Sequence, residues 1–336
     1  MHDTEQQAWR DNVVLARDID SPGERSEFFT QARRGEFTRI FRGVHVPTTV
    51  WLALGPDERH RAIVKAAAAF AGRELVFSHA SAVGVWRLPW IGVWPDRAHV
   101  TVPTASGGRS KKMFVRHTTG VPEEIEHIEG IAVTTIARTV ADIARTQPFG
   151  CAVTVADAAL RRTTHPLTRV STTHPLTRVS TTHSFTEVPR TGLIQEDIVR
   201  ELQGIPIRQG VAKALRVIGF ADARADRPGE SMSRVSMMAA RLPPPELQVV
   251  LAGATGRVWT VDFFWPIVGL IGEFDGQAKY TDPVFLRGRT PEQALSDEKD
   301  REDDLRAAGY DMSRWGWKLA MSPNLLRRHL MAAGLR

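Results

Sequence analysis

Asp262 lies inside an apolar, aromatic run from Trp259 to Trp265, and Glu273 and Asp275 close the next apolar run just before Gly276. On a strand, residues two apart share a face, so Glu273 and Asp275 are predicted to point together. A hairpin through Pro266 brings Asp262 beside them, and Glu230, at the start of a preceding helix, reaches the same edge. Two carboxylates about 4 Å apart repel by about 4 kcal/mol at an effective dielectric near 20. Such a cluster needs a proton, a cation or separation, and an all-oxygen ligand set suits Mg²⁺ or Mn²⁺. Lys279, one of seven lysines in the chain, follows closely enough to steady an attacking hydroxide or a phosphate. Spacing alone leaves a structural alternative open: Glu230 sits favourably in a first helical turn, and Asp275-Gly276 is a common turn pair.

The elements that position these residues are legible from Pro228 onward. Pro228-Gly229 opens a helix over Glu230 to Ala240. Strands are predicted over Leu247 to Leu251, Trp259 to Phe264 and Val268 to Phe274, separated by Gly256 and Pro266. A charged helix runs from Pro291 to Ala308 and stops at Gly309; a strand over Tyr310 to Trp315 and a helix over Asn324 to Ala333 follow. This αβββαβ order predicts an α/β layer with a small mixed sheet.

The rest of the chain is consistent with a multi-domain protein. Its 336 residues carry a net charge of +6 and one cysteine, Cys151, which excludes a disulfide scaffold and a cysteine-rich zinc finger. The apolar runs Ala66 to Ala71 and Val261 to Gly272 are far shorter than a membrane span, and Met1 to Asn12 is polar. The expectation is a cytoplasmic protein with no membrane partner. From residue 251 onward twelve basic and twelve acidic residues balance, so the positive excess lies earlier in the chain.

A nine-residue repeat, Thr164 to Thr172, returns unchanged as Thr173 to Thr181, with a decayed copy from Thr182. Proline and Ser/Thr make it a poor helix and a poor central strand. It reads as a duplicated linker more readily than as a metal site at His165, His174 and His183. Lengthening a loop is cheap, about 0.6 kcal/mol per doubling.

Near the N-terminus, Ser26 to Arg34 suits a helix ending at Gly35, and β-branched and aromatic residues flank Arg42-Gly43 as in a short hairpin. Arg33, Arg34, Arg39 and Arg42 either face phosphates, as in a winged helix, or solvate a small hairpin. From Arg61 to Arg145 helix and strand alternate, with short strands over Ala98 to Val102 and Met113 to Val115 around a Gly107 to Lys112 turn. A helix starts near Thr134 with Arg138 and Asp142 one turn apart. Ser78 and Ser81 are read as helix-capping hydroxyls rather than as nucleophiles beside His79.

Taken together, Pro228 to Ser231, Leu242 to Gln248, Val261 to Pro266, Gly272 to Tyr280, Glu298 to Arg306 and Arg314 to Trp317 resemble an uncharacterised bacterial family related to the very-short-patch-repair endonucleases, within the PD-(D/E)XK nuclease fold. The resemblance spans about 110 residues. It implies Asp262 and Glu273 as metal ligands, Glu230 and Asp275 in support, and Lys279 near the phosphate. The position two after Glu273, lysine in that signature, is Asp275 here. The N-terminal part resembles the AbiEi-type antitoxin domain of abortive-infection toxin–antitoxin systems, through Arg34 to Val46, Ser78 to Ala82 with Leu88-Pro89, and Val133 to Asp142. That resemblance implies a winged helix on promoter DNA and a domain that counters a toxin protein.

The expected organisation is a winged-helix-like module over 1–50, an α/β domain over 51–162, a linker over 163–190, a helical connector over 191–227 and an endonuclease-like αβββαβ domain over 228–336. The expected function is DNA binding with Mg²⁺-dependent phosphodiester hydrolysis, in defence, toxin–antitoxin control or DNA repair. The alternative is a transcriptional regulator or antitoxin whose nuclease-like domain is inactive.

Overall fold

The structure, a computed structural model, describes residues 13–71, 74–106, 113–163, 192–276 and 290–336. It is α/β in class. The chain divides into two units, Met1–Gln147 with Glu196–Leu215, and Pro148–Gln195 with Arg216–Arg336. The repeat, the Gly107 to Lys112 turn and Lys279 lie outside the described residues.

The first unit opens with β1 (Val14–Leu15) and α1 (Pro22–Arg33), which starts on a proline and ends before Gly35 at φ 84°. A hairpin follows, β2 (Phe37–Phe41) and β3 (Val44–Pro47), and β1 pairs with β3 to give a sheet ordered β1-β3-β2. Next come α2 (Thr48–Ala53), the alanine-rich α3 (Pro56–Ala71), β4 (Val76–Phe77), α4 (His79–Val85), β5 (Ala98–Thr101), β6 (Phe114–His117), β7 (Ile125–Ile128), β8 (Ile131–Thr134) and α5 (Ile136–Thr146). Thr135 caps α5 by accepting a hydrogen bond from the Arg138 N–H at 3.2 Å.

The five strands form a sheet ordered β6-β5-β4-β8-β7. β5 and β6 pair in parallel, so the two strands are not the arms of one hairpin. A parallel pair cannot be closed by a tight turn. One apolar core, built on Val64, Phe77, Val100 and Val133, also takes in Val44 and Ile40 of the hairpin.

Helices α6 (Phe149–Thr163), α7 (Gln195–Gly204) and α8 (Val211–Phe220) follow, with α6 in the second unit and α7 in the first. The second unit continues as α9 (Pro228–Ala239), β9 (Glu246–Ala252), β10 (Val258–Trp265), β11 (Leu270–Phe274), α10 (Pro291–Ala307), β12 (Asp311–Trp315), α11 (Trp317–Ala320) and α12 (Pro323–Ala332). The sheet order is β12-β11-β10-β9, antiparallel except for the parallel pair β11 and β12. The predicted αβββαβ order is present, with α10 opened by a capping box between Thr290 and Gln293.

This sheet has a core on each face. Phe263, Trp265, Leu270, Phe274 and Trp315 pack on one side with α9 and α12, and Val249, Val261, Phe264 and Ile271 on the other with Leu305 of α10. Burying each large side chain contributes about 1.5–3 kcal/mol. Strict alternation would put Val261 and Phe263 on one side, and likewise Leu247 and Val249; each pair is instead split between the two cores. Both strands therefore change side between the Val261–Val249 and Phe263–Leu247 pairs, at the rung that holds Asp262 and Gln248, the latter with φ 50°, and that breaks the regular ladder.

Helix α9 approaches β11 very closely. A Cβ on Gly229 would lie 2.0 Å from the Phe274 ring, which is itself buried. Gly229→Ala is expected to cost roughly 1–3 kcal/mol through overpacking, read as a lower urea midpoint; an unchanged midpoint would contradict the close approach. Among the described residues, no helix is long and apolar enough to cross a membrane.

Candidate functional site

The change of side on β9 and β10 sets where three carboxylates go. Glu230 comes from α9 on one face of the sheet, Glu273 points from β11 toward α10 on the other, and Asp262 stands at the rung between them. Glu230 and Glu273 are buried, and Asp262 is half-buried.

Each carboxylate has a structural partner. The β10–β11 ladder pairs Phe263 with Gly272, and beyond that rung the Phe274 N–H donates to Asp262 Oδ2 at 2.9 Å. Asp262 thus replaces a backbone acceptor where the strands part, which accounts for an acid within an apolar strand. Glu230 Oε2 accepts from the Asp226 N–H at 2.8 Å and from Gln248 Nε2 at 3.1 Å. Burial, with the Asp262 carboxylate nearby, still pushes the Glu230 carboxyl up to about 9, so it holds its proton at neutral pH. Glu273 is gripped by Arg301 of α10, whose Nη2 donates to Oε1 at 2.7 Å and Nη1 to Oε2 at 3.3 Å. Arg301 Nη2 also donates to the Thr260 carbonyl at 2.7 Å.

β11 ends at Phe274, so Asp275 lies one residue past the strand and the strand-face argument does not extend to it. Its N–H donates to the Trp315 carbonyl at 2.8 Å. Arg301 was missed in the sequence: α10 is so rich in charge that no periodicity singles out one cation. Glu298, Glu302 and Asp304 of α10 are also engaged. Arg314 of β12 pairs with Glu298 at 2.7 Å and Glu302 at 3.2 Å. Asp304 accepts from the Thr255 N–H and hydroxyl and from Trp259 Nε1, tying α10 to the β9–β10 turn.

The donor chemistry fits a hard divalent cation. All the donors are oxygens, and the excess negative charge is relieved by a proton on Glu230 and a guanidinium on Glu273. As the side chains stand, no group of three or more His, Cys, Asp or Glu among the described residues is set to hold an ion; both Glu273 oxygens are taken by Arg301.

In the first unit Arg33, Arg34, Arg39 and Arg42 are all exposed, on the end of α1 and along the hairpin. A second polar cluster lies deeper. His79, at φ 51°, is buried at the start of α4, its Nδ1 3.0 Å from the Ser78 hydroxyl and 3.7 Å from Asp142 Oδ2. The His79 ring stacks on His117 at 3.5 Å, and His117 Nε2 meets His99 Nδ1 at 3.1 Å. Burial, with neighbouring positive groups, pushes His79 well below its ordinary value and brings His99 and His117 to about 3. All three imidazoles are therefore neutral at pH 7.

Asp142 accepts from Arg138 Nε at 3.3 Å, and Arg138 Nη2 also donates to the Thr119 carbonyl at 3.2 Å. The capping roles expected of Ser78 and Ser81 are not the ones found. Ser78 makes no side-chain cap bond and meets His79 instead, and the Ser81 hydroxyl accepts from the His99 N–H at 2.8 Å. The short α4 leaves these hydroxyls facing β5 and its own histidine rather than a free helical N–H.

No family model matches the chain. It is 38% identical over 96 residues, 28% of this chain, to the uncharacterized proteins MT2308 of Mycobacterium tuberculosis (strain CDC 1551 / Oshkosh) and Rv2248 of Mycobacterium tuberculosis (strain ATCC 25618 / H37Rv). The matched stretch spans 34% of the length of those relatives, about a third of each.

Proposed function

We propose that the chain is a DNA-binding protein whose second unit is a metal-dependent endonuclease, hydrolysing a phosphodiester in defence, toxin–antitoxin control or DNA repair in the cytoplasm. The observation that carries this reading is the placing of three acids about the one rung where the strands change side, Asp262 on β10, Glu273 on the neighbouring β11 facing α10, and Glu230 from α9 on the opposite face of the sheet. A fold built only to grip phosphate gains nothing from burying carboxylates there, since their desolvation is unfavourable. Asp262 and Glu273 would hold Mg²⁺ or Mn²⁺, with Glu230 in support, and a bound ion would activate water and screen the leaving oxygen.

The chain's own residues supply the rest. Asp262 is aligned by the Phe274 N–H, and Glu230 is oriented by Gln248 and the Asp226 N–H. The exposed arginines of the first unit provide phosphate contacts that hold duplex DNA without reading sequence. A regulator or antitoxin reading, with a cognate toxin as partner, draws on one observation: Glu273 is already neutralised by Arg301.

The two readings part on incubation of purified protein with plasmid, linear and mismatched DNA in Mg²⁺ or Mn²⁺. Cleavage is expected for wild type and is expected to fall to the chelator control in Asp262→Ala and Glu273→Ala. Cleavage that survives both substitutions, or none in any metal, rejects the endonuclease.

A further inference from the structure

We infer that Arg301 is a latch that keeps the carboxylate site shut to divalent cations until a DNA phosphate draws the guanidinium away, so that metal and DNA bind cooperatively. This rests on the endonuclease reading above. Arg301 spans Glu273 with both terminal nitrogens and anchors one of them on the Thr260 carbonyl at 2.7 Å. Both Glu273 oxygens are engaged, and an ion that needs either must compete with a charge-assisted fork.

Exposure makes the latch one-sided: the Arg301 side chain is 18% exposed and that of Glu273 5%. A ligand arriving from solvent meets the cation first. Leaving Glu273 buried without a countercharge is strongly unfavourable, so the fork opens only if another cation takes its place. Arg301 in turn needs a new anion, and a phosphodiester presents the same bidentate oxygen edge as a carboxylate. A DNA phosphate and a divalent cation together satisfy both halves of the broken pair, whereas either alone leaves one half unpaired. Their affinities are therefore coupled, and each tightens the other by the same factor. Arg314, a guanidinium of β12 that faces α10, does not substitute for Arg301, since it is held by Glu298 and Glu302.

The test is Mn²⁺ binding to the full chain, read from the free-ion electron paramagnetic resonance signal, with and without a short phosphorothioate duplex. Without DNA, Arg301→Gln is expected to bind Mn²⁺ about tenfold or more tighter than wild type. Adding the duplex is expected to tighten wild type by a similar factor and to leave Arg301→Gln unchanged. Arg301→Lys, which keeps the charge and loses the fork, should fall between and serves if the glutamine variant does not fold by circular dichroism. Glu273→Gln combined with Arg301→Gln should lose the gain. Mn²⁺ binding that is equal in wild type and the Arg301 variants overturns the latch and leaves the metal site standing. Absence of Mn²⁺ binding in every protein, with DNA present, overturns both.

Discussion

Asp142→Ala is expected to destabilise the first unit by roughly 3–5 kcal/mol, because it leaves the guanidinium of Arg138 buried without its carboxylate. Among the described residues Arg138 would keep the Thr119 and Gly120 carbonyls as acceptors, with the Glu201 carboxylate acting on its charge only through space. The loss should appear in urea unfolding followed by circular dichroism. Replacing both partners together, Arg138→Met with Asp142→Leu, should recover most of it, since an apolar pair of similar size carries no desolvation penalty. A loss below about 1 kcal/mol in the single variant would mean that the ion pair contributes no more than a surface one.

Glu230→Gln should act in the opposite direction and raise stability. The folded-state value of about 9 lies above the ordinary 4.5, so the folded chain holds the proton more tightly than the unfolded chain. Stability from this group is then full below about pH 4.5 and is lost as pH rises toward 9. At about 1.4 kcal/mol per pH unit, the loss reaches roughly 3 kcal/mol at neutral pH. Glutamine stays neutral and can still accept from Gln248 and the Asp226 N–H, so in chelator the variant should be roughly 3 kcal/mol more stable than wild type at pH 7 and equal to it near pH 4. Parallel pH profiles for the two proteins would show that Glu230 is not held protonated. The same substitution should weaken DNA cleavage, which would make Glu230 a position where stability is given up for function.

The second unit was far more legible than the first. Its strands are bounded by Gly256, Pro266 and Gly309, and its apolar runs are long enough for strand and helix to be told apart. In the first unit the short β7–β8 hairpin had no Asn-Gly or Asp-Gly signal. Its turn uses Glu129 at φ 51° before Gly130, a conformation that glutamate rarely adopts and that Lys65 and Arg87 hold by ion pairs. Those cations lie far away in sequence, so no local rule announces the turn. The same distance hid the histidine cluster: His79, His99, His117 and Asp142 come from four separate elements, and each alone looks like a cap or a solvated side chain.

The candidate site divides along the same line. Glu230, Asp262 and Glu273 could be chosen from their placement at element ends, whereas their settings could not. Asp262 as a backbone acceptor and Arg301 as the partner of Glu273 both follow from where the strands part. Alternation along a strand assumes a regular ladder, and β9 and β10 break it at the residue that matters.

The shared change of side at Gln248 and Asp262 also constrains how this sequence can drift. An insertion or deletion of one residue in β9 or β10 would exchange the two cores for everything beyond it. Descendants can therefore tolerate such an event in one strand only with a matching one in the other. The hairpin should vary as a unit, and the rung that carries the carboxylate should keep its register even where the apolar residues around it are replaced.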